Sequence, residues 1–341
     1  MSTRTRDLGG RQTAKFAGRR WWVLVPLFSL SACEGAQSAL VPAGRDAAEI
    51  LDIFLVTLAG AVILWVALNG AFFVLTRWRP QPMAEQYARP LLIGAGIVMP
   101  SVLLIALLIW ALGILPHQRA PGNGLRIHVT AEQWWWRVEY WPEGATAPIV
   151  TANEIRLPVG QRTEFTLSAA RVIHSFWIPS LGGKMDMLPG RDTMMSLHPE
   201  RPGLYRGQCV EFCGIGHAWM AFAAVVVPEA EFDAWLDREA REAVSPEGEA
   251  ARRGAQLFAT EGCGACHTIR GTDAVGEVGP DLTHVGSRRT LGAGRLGTTL
   301  DDYARWIRHT DELKPEVRMP TYDHLSDTEA RDLAAYLKGL E

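Results

Sequence analysis

At 341 residues the chain is long enough for two or three domains, and 48% of it is hydrophobic. Its 34 basic and 37 acidic side chains give a net charge of −3, without the basic footprint that nucleic-acid binding leaves, so no nucleic-acid partner is expected. The balance is uneven: residues 231–341 hold 14 basic and 21 acidic groups, a solvated surface that could also steer a basic partner.

In chain order, Arg4, Arg6, Arg11, Lys15, Arg19 and Arg20 precede a short apolar stretch, Trp21 to Leu30. That stretch is too short to span a bilayer but suits an export signal. It ends in Leu30-Ser31-Ala32-Cys33, which resembles the bacterial lipoprotein box. Residues 1–33 are therefore expected to be a signal peptide, with Cys33 lipidated as the mature N-terminus; an ordinary signal with an incidental cysteine is the alternative.

Two uncharged apolar runs follow, Ile53 to Leu75 and Leu91 to Leu115, of 23 and 25 residues. About 20 apolar residues in a helix cross a hydrocarbon core of about 30 Å, so both runs predict membrane-spanning helices, a hairpin over residues 46–116. Pro100 interrupts the second run, which a membrane helix tolerates when neighbouring groups satisfy the freed carbonyl. The connecting loop carries Arg77, Arg79 and Arg89 against Glu85, which makes it cytoplasmic and everything after Leu115 extracytoplasmic. In a bacterium, that places both large domains on the outer side of the cell (inner) membrane.

Residues 117–230 change to short β-type runs with Pro and Gly punctuation: 125–130, 134–140, 154–158, 162–167, 193–197 and 221–227. They predict a small all-β sandwich or barrel. A charged linker over 231–249, helical in its first part, leads to a last domain over 250–341 that is helical at both ends. Ser326-Asp327-Thr328-Glu329 is a plausible capping box for its final helix.

Four of the five cysteines fall between residues 209 and 266, in two metal-binding patterns. The first is Cys209 and Cys213 with His217 and Met220. Two thiolates, an imidazole and a thioether are soft donors that select copper. A site for two coppers would lack one nitrogen, and His174, at the end of a β-type run, is the best candidate to supply it. A Cys2His2 zinc site, a Cys209–Cys213 disulfide and a mononuclear copper site compete less well, because none uses two cysteines and Met220 together. His128 and His198 read as surface or satisfied polar residues.

The second pattern is Cys263-Gly264-Ala265-Cys266-His267, the spelling of covalent c-type haem attachment. The two thiols would bond the haem and His267 its iron. Met319 is the only methionine after Met220 and is expected as the second axial ligand, ahead of His284, His309 and His324. With both axial positions filled, such a haem carries electrons and does not activate oxygen.

Longer strings now carry a family resemblance. Gln133-Trp134-Trp135-Trp136 with Glu139-Tyr140, the run Val172 to Pro179, the run Lys184 to Arg191, and Cys209 to Met220 resemble cytochrome c oxidase subunit II in order and spacing. The preceding helical hairpin matches too, so the resemblance covers about residues 45–230. Gly279-Pro280-Asp281-Leu282 and Met319-Pro320-Thr321-Tyr322 resemble class I cytochromes c. The resemblance implies a multidomain membrane protein: a two-helix transmembrane hairpin, an all-β cupredoxin (Greek-key) copper domain and an all-α class I cytochrome c domain.

It also implies a binuclear copper A centre held by His174, Cys209, Cys213, His217 and Met220, with the backbone carbonyl of Glu211 completing the set. The Glu211 carboxylate would join a magnesium site shared with subunit I, and Trp134 would stand exposed where electrons arrive. Leu91 to Met99 holds no acid where many members carry a glutamate, so no proton-uptake role is carried over. The implied function is subunit II of a respiratory cytochrome c oxidase. Electrons would pass from a cytochrome c or other donor through the fused haem and the copper pair to the oxygen-reducing subunit I. The chain alone would transfer electrons only. A haem/copper electron-transfer subunit of another respiratory reductase is the alternative, with a copper assembly protein behind it.

Overall fold

The computed structural model describes residues 35–78 and 83–341. The export signal and Cys33, and Arg79 of the loop, lie outside the described residues. Helix α1 spans Arg45–Arg77; α2 (Glu85–Ile93), a π turn (Gly94–Val98) and α3 (Met99–Gln118) form one continuous second rod. The π turn lies just before Pro100, whose missing N–H breaks the regular hydrogen-bond ladder there. Both rods are long and apolar enough to cross a membrane, and their apolar side chains face outward.

The rods are longer than the apolar runs, and the polar start of the first docks on the β domain. Asp46, 1% exposed, accepts from the Arg162 guanidinium at 3.1 Å and from the His198 N–H at 2.9 Å. His117 of α3 lies 3.3 Å from Glu49 of α1, closing the hairpin at that end.

Ten strands follow. One sheet has the order β3-β2-β1-β5-β8: β1 (Arg126–Glu132), β2 (Trp135–Trp141), β3 (Ile149–Ala152), β5 (Thr163–Ala169) and β8 (Thr193–Leu197). The other has the order β4-β10-β9-β6-β7: β4 (Glu154–Pro158), β6 (His174–Trp177), β7 (Met185–Met187), β9 (Gly203–Cys209) and β10 (Ala221–Val227). The parallel pairings β1–β5 and β4–β10 join otherwise antiparallel strands. Inward residues such as Ile127, Val129, Trp136, Phe165 and Phe176 are fully buried between the sheets. Phe176 and Phe222 stack at 4.9 Å, with Trp136 edge-on to both, and this aromatic layer supports His174 from below.

Each of the six β-type runs overlaps a strand, while β3, β6, β7 and β9 lie outside those runs. His174 opens β6 instead of closing a preceding run. Helix α4 (Glu229–Glu239) covers one end of the sandwich. Its Phe232 and Trp235 are buried against Tyr140, so this part of the expected 231–249 linker belongs to the β core. The stretch between the two cores is 240–248.

The last domain packs α5 (Glu249–Thr260) across α8 (Asp327–Lys338), with α6 (Leu300–Arg308) and the short α7 (Thr310–Leu313) beside them. Gly254 makes the crossing close: a Cβ there would sit 2.0 Å from the Asp332 carbonyl oxygen. Arg253 clamps the same point, donating to both Asp332 carboxylate oxygens at 2.7 and 2.9 Å. Ser326 and Glu329 form the capping box of α8, and Thr299 with Asp302 forms a second one on α6.

Candidate copper and haem centres

Cys209 ends β9, and the chain loops through Cys213 and a 3-10 turn (Ile215–Trp219) before β10 starts at Ala221. The Cys209 N–H donates to the Met220 carbonyl at 2.9 Å, closing the loop at its neck. Strand β6 runs beside β9, with Phe176 opposite Cys209, and this brings in His174 from 35 residues away.

The donor atoms converge. Cys209 Sγ lies 3.8 Å from Cys213 Sγ, 3.7 Å from His174 Nδ1 and 3.1 Å from the Glu211 carbonyl oxygen. Cys213 Sγ lies 3.6 Å from His217 Nδ1 and 3.9 Å from Met220 Sδ. His174, Cys209, Cys213 and Met220 are buried, whereas the Glu211 side chain is exposed. His174 Nε2 is a buried nitrogen with no hydrogen-bond partner.

Two thiols this close share a negative charge. The hydrogen bond from Cys213, then those from His174 and the nearby backbone, holds Cys209 far below the usual thiol range. Cys213, donating that bond, is pushed up. Two sulfurs that a bound metal would hold as thiolates, two imidazoles, a thioether and a carbonyl converging on one mostly buried site suit a soft metal, so the residues fit copper.

The haem motif sits on the turn after α5. A cavity of about 210 Å³ is lined by Cys263, Cys266, His267, Pro280, Met319 and Tyr322, among others. His267 Nδ1 donates to the Pro280 carbonyl at 2.7 Å, which fixes the tautomer and leaves Nε2 as the free electron pair. Burial lowers the His267 pKa and keeps the ring neutral. Gly279 is required here, because a Cβ would lie 2.5 Å from the His267 ring. Thr310 donates to the carbonyls of Met319 and Pro320 at 3.3 and 3.2 Å and holds the methionine segment at the cavity.

Of the rival histidines, His284 is engaged with the Arg241 carbonyl and His324 with Glu261, and neither lines the cavity. Paired thiols, a preoriented imidazole and a thioether around one apolar cavity fit a covalent haem.

Trp134 departs from the expectation of an exposed indole. It is 4% exposed, because the last domain covers it. The residue borders the haem cavity, and its indole N–H donates to the Cys213 carbonyl at 2.9 Å. Gly214 and Gly216 of the copper loop pack against it; a Cβ at Gly216 would meet the ring at 2.4 Å. Covering Trp134 requires residues that follow it by more than 150 positions, which no local pattern signals. Lys314, whose side-chain amine donates to the Trp134 carbonyl, is brought there by the same long-range packing.

Comparison with known proteins separates the two halves in the same way. Residues 141–227 match the model of the cytochrome c oxidase subunit II periplasmic domain, and residues 251–341 match that of cytochrome c. Cytochrome c oxidase subunit 2 of Alkalihalophilus pseudofirmus is 32% identical over 92% of this chain and 94% of its own length. That of Bacillus subtilis is 32% identical over 93% and 96%. Among solved structures, the periplasmic domain of subunit II of the Bradyrhizobium japonicum cytochrome oxidase is 29% identical, covering 36% of this chain and 96% of its own, with a TM-score of 0.33. The relatives align across the spanning helices, the β domain and the haem domain together. The chain thus belongs to the cytochrome c oxidase subunit 2 family, as a member carrying its own cytochrome c domain.

Proposed function

We propose that this chain receives electrons for a cytochrome c oxidase, taking them from a cytochrome c donor onto its haem domain and delivering them through a binuclear copper centre to the oxygen-reducing subunit I. When bound, the haem and the copper pair supply reversible one-electron chemistry. Cys263 and Cys266 would tether the haem, with His267 and Met319 on its iron. His174, Cys209, Cys213, His217, Met220 and the Glu211 carbonyl would hold the coppers. The exposed Glu211 carboxylate is free to complete a magnesium site with subunit I.

One observation carries this reading: the Gln133-Trp134 pair touches both sites. Both residues border the haem cavity, and both side chains donate to the carbonyl of Cys213, a cysteine of the copper loop, at 3.0 and 2.9 Å. The surrounding β core and the covering domain exclude water from that contact. The apolar rods would anchor the assembly in the bacterial inner membrane, with the arginine-bearing loop inside and both centres outside.

The test uses the purified native complex. Cys209→Ser should abolish the near-infrared copper absorption and turnover with reduced cytochrome c while leaving the haem c band unchanged. A copper band that persists in this variant, or a native complex without an oxygen-reducing subunit, would overturn the reading.

A further inference from the structure

Lys314 is a cation in an unusual place. It is 2% exposed, and among the described residues no carboxylate lies within ion-pair distance of it. Burying an amine without an acidic partner is costly, and the burial pulls its pKa down to about 7. Its Nζ instead donates to two carbonyls, that of Trp134 at 2.5 Å and that of Gly292 at 3.1 Å. The first belongs to the copper domain and the second to the haem domain, so one side chain ties the two together.

The surroundings are built around this tie. Gly292, Ala293 and Gly294 all have positive φ (61°, 62° and 85°), a conformation that is strained for alanine, and they form a tight turn. The turn presents the Gly292 carbonyl to Lys314 and the Ala293 carbonyl to the Ala221 N–H at 3.0 Å. Arg295 donates to the Leu313 carbonyl at 2.8 Å, and its guanidinium lies over the Trp219 ring at 5.3 Å. The haem domain thus grips both flanks of the copper loop, Trp134 on one side and Trp219 to Ala221 on the other. Lys314 stands five residues before Met319, so the same segment carries the tie and the expected axial ligand.

We propose that Lys314 is a positioning residue for electron passage between the two centres: it pins the peptide of Trp134, a residue that borders the haem cavity and whose indole N–H holds the Cys213 carbonyl. The proposal rests on the relay reading above. The step it would serve moves one electron from the haem that Cys263, Cys266, His267 and Met319 would hold to the coppers that the Cys209–Met220 loop and His174 would hold; the first would be oxidised as the second is reduced.

The experiment injects one electron into the haem of the detergent-purified holo complex with a photoactivated ruthenium complex. It follows the haem band and the near-infrared copper band together. Lys314→Met keeps the aliphatic stem and removes the donors; Lys314→Arg keeps donors. Lys314→Met should retain both bands and both midpoint potentials but slow haem-to-copper transfer on the order of tenfold, the effect of losing the two hydrogen bonds from Nζ on a docked population. Lys314→Arg should recover much of the rate.

A Lys314→Met rate equal to wild type overturns the proposal. So does a slowing accompanied by a shifted potential or a lost band, or one that Lys314→Arg does not relieve. Absence of haem-to-copper transfer in the wild-type complex would instead remove the relay reading itself.

Discussion

Gly279 shows how finely a single residue sets the haem side. The His267 ring lies so close that a Cβ would come within 2.5 Å of it. The neighbouring Pro280 carbonyl holds Nδ1, so the ring cannot turn away without losing its tautomer. Gly279→Ala should therefore lower covalent haem content and weaken the Met319 ligation band in the purified complex, while copper absorption stays at its wild-type level. Full haem content with an unchanged band would refute that constraint. The Cys-x-x-Cys-His string and the cysteine cluster that the proposed centres use stand out in the sequence because each is local: five consecutive residues in one case, twelve in the other. Trp134 is different. Its identity is legible, but its burial depends on Lys314 and Gly292, brought over it by the fold of a separate domain.

Among elements, the α5–α8 crossing carries the haem domain. Gly254 faces the Asp332 backbone and the Tyr336 Cβ, neither of which can yield without moving α8. Gly254→Ala should destabilise this domain by about 1–3 kcal/mol, the usual range for overpacking, and a calorimetric melt of the complex would show it. In the β domain, His128 of β1 stands opposite Glu139 of β2, with its Nδ1 3.3 Å from the carboxylate. Their hydrogen bond raises the His128 pKa and lowers that of Glu139. The histidine's contribution is complete below its ordinary value of 6.5 and fades as pH rises through its raised one. The glutamate's is complete above its ordinary value of 4.5 and fades as pH falls through its lowered one. Glu139→Gln should therefore cost most stability between those two pH values and progressively less above them, by under about 1 kcal/mol for a partly exposed pair. A melting-temperature difference that grows towards alkaline pH would contradict the assignment. Strands with regular alternation, such as β1 and β5, are legible from sequence, as are the long apolar rods. Strands β6 and β7 are only four and three residues long, too short to show a period, and β9 opens on a glycine.

At the scale of the whole molecule, the order of hairpin, β domain and haem domain is legible from composition, whereas their mutual seating is not. That seating has a particular chemistry. Arg137 donates to the Glu277 carbonyl at 2.6 Å, Arg270 to the Val150 carbonyl at 3.2 Å, and the Arg289 N–H to Glu154 at 3.0 Å. Among the described residues, no ion pair joins the β core to the haem core. Contacts of this kind, each with a backbone group on one side and no opposed pair of charged side chains, are less affected by salt than ion pairs are. An external donor would meet something else, a C-terminal third with 21 acidic and 14 basic side chains, most of them at least partly exposed. Raising ionic strength from about 0.01 to about 0.15 M shortens the Debye length from about 30 to about 8 Å, which removes steering but not a docked contact. Reduction of the haem by a basic soluble cytochrome should therefore slow across that range, while haem-to-copper transfer within the chain stays constant. Rapid-mixing kinetics for the first step and flash-initiated kinetics for the second separate the two on one preparation. If the internal step slowed in parallel with the external one, the two domains would be meeting by diffusion on their tether, and the seam around Trp134 would be one transient arrangement among several.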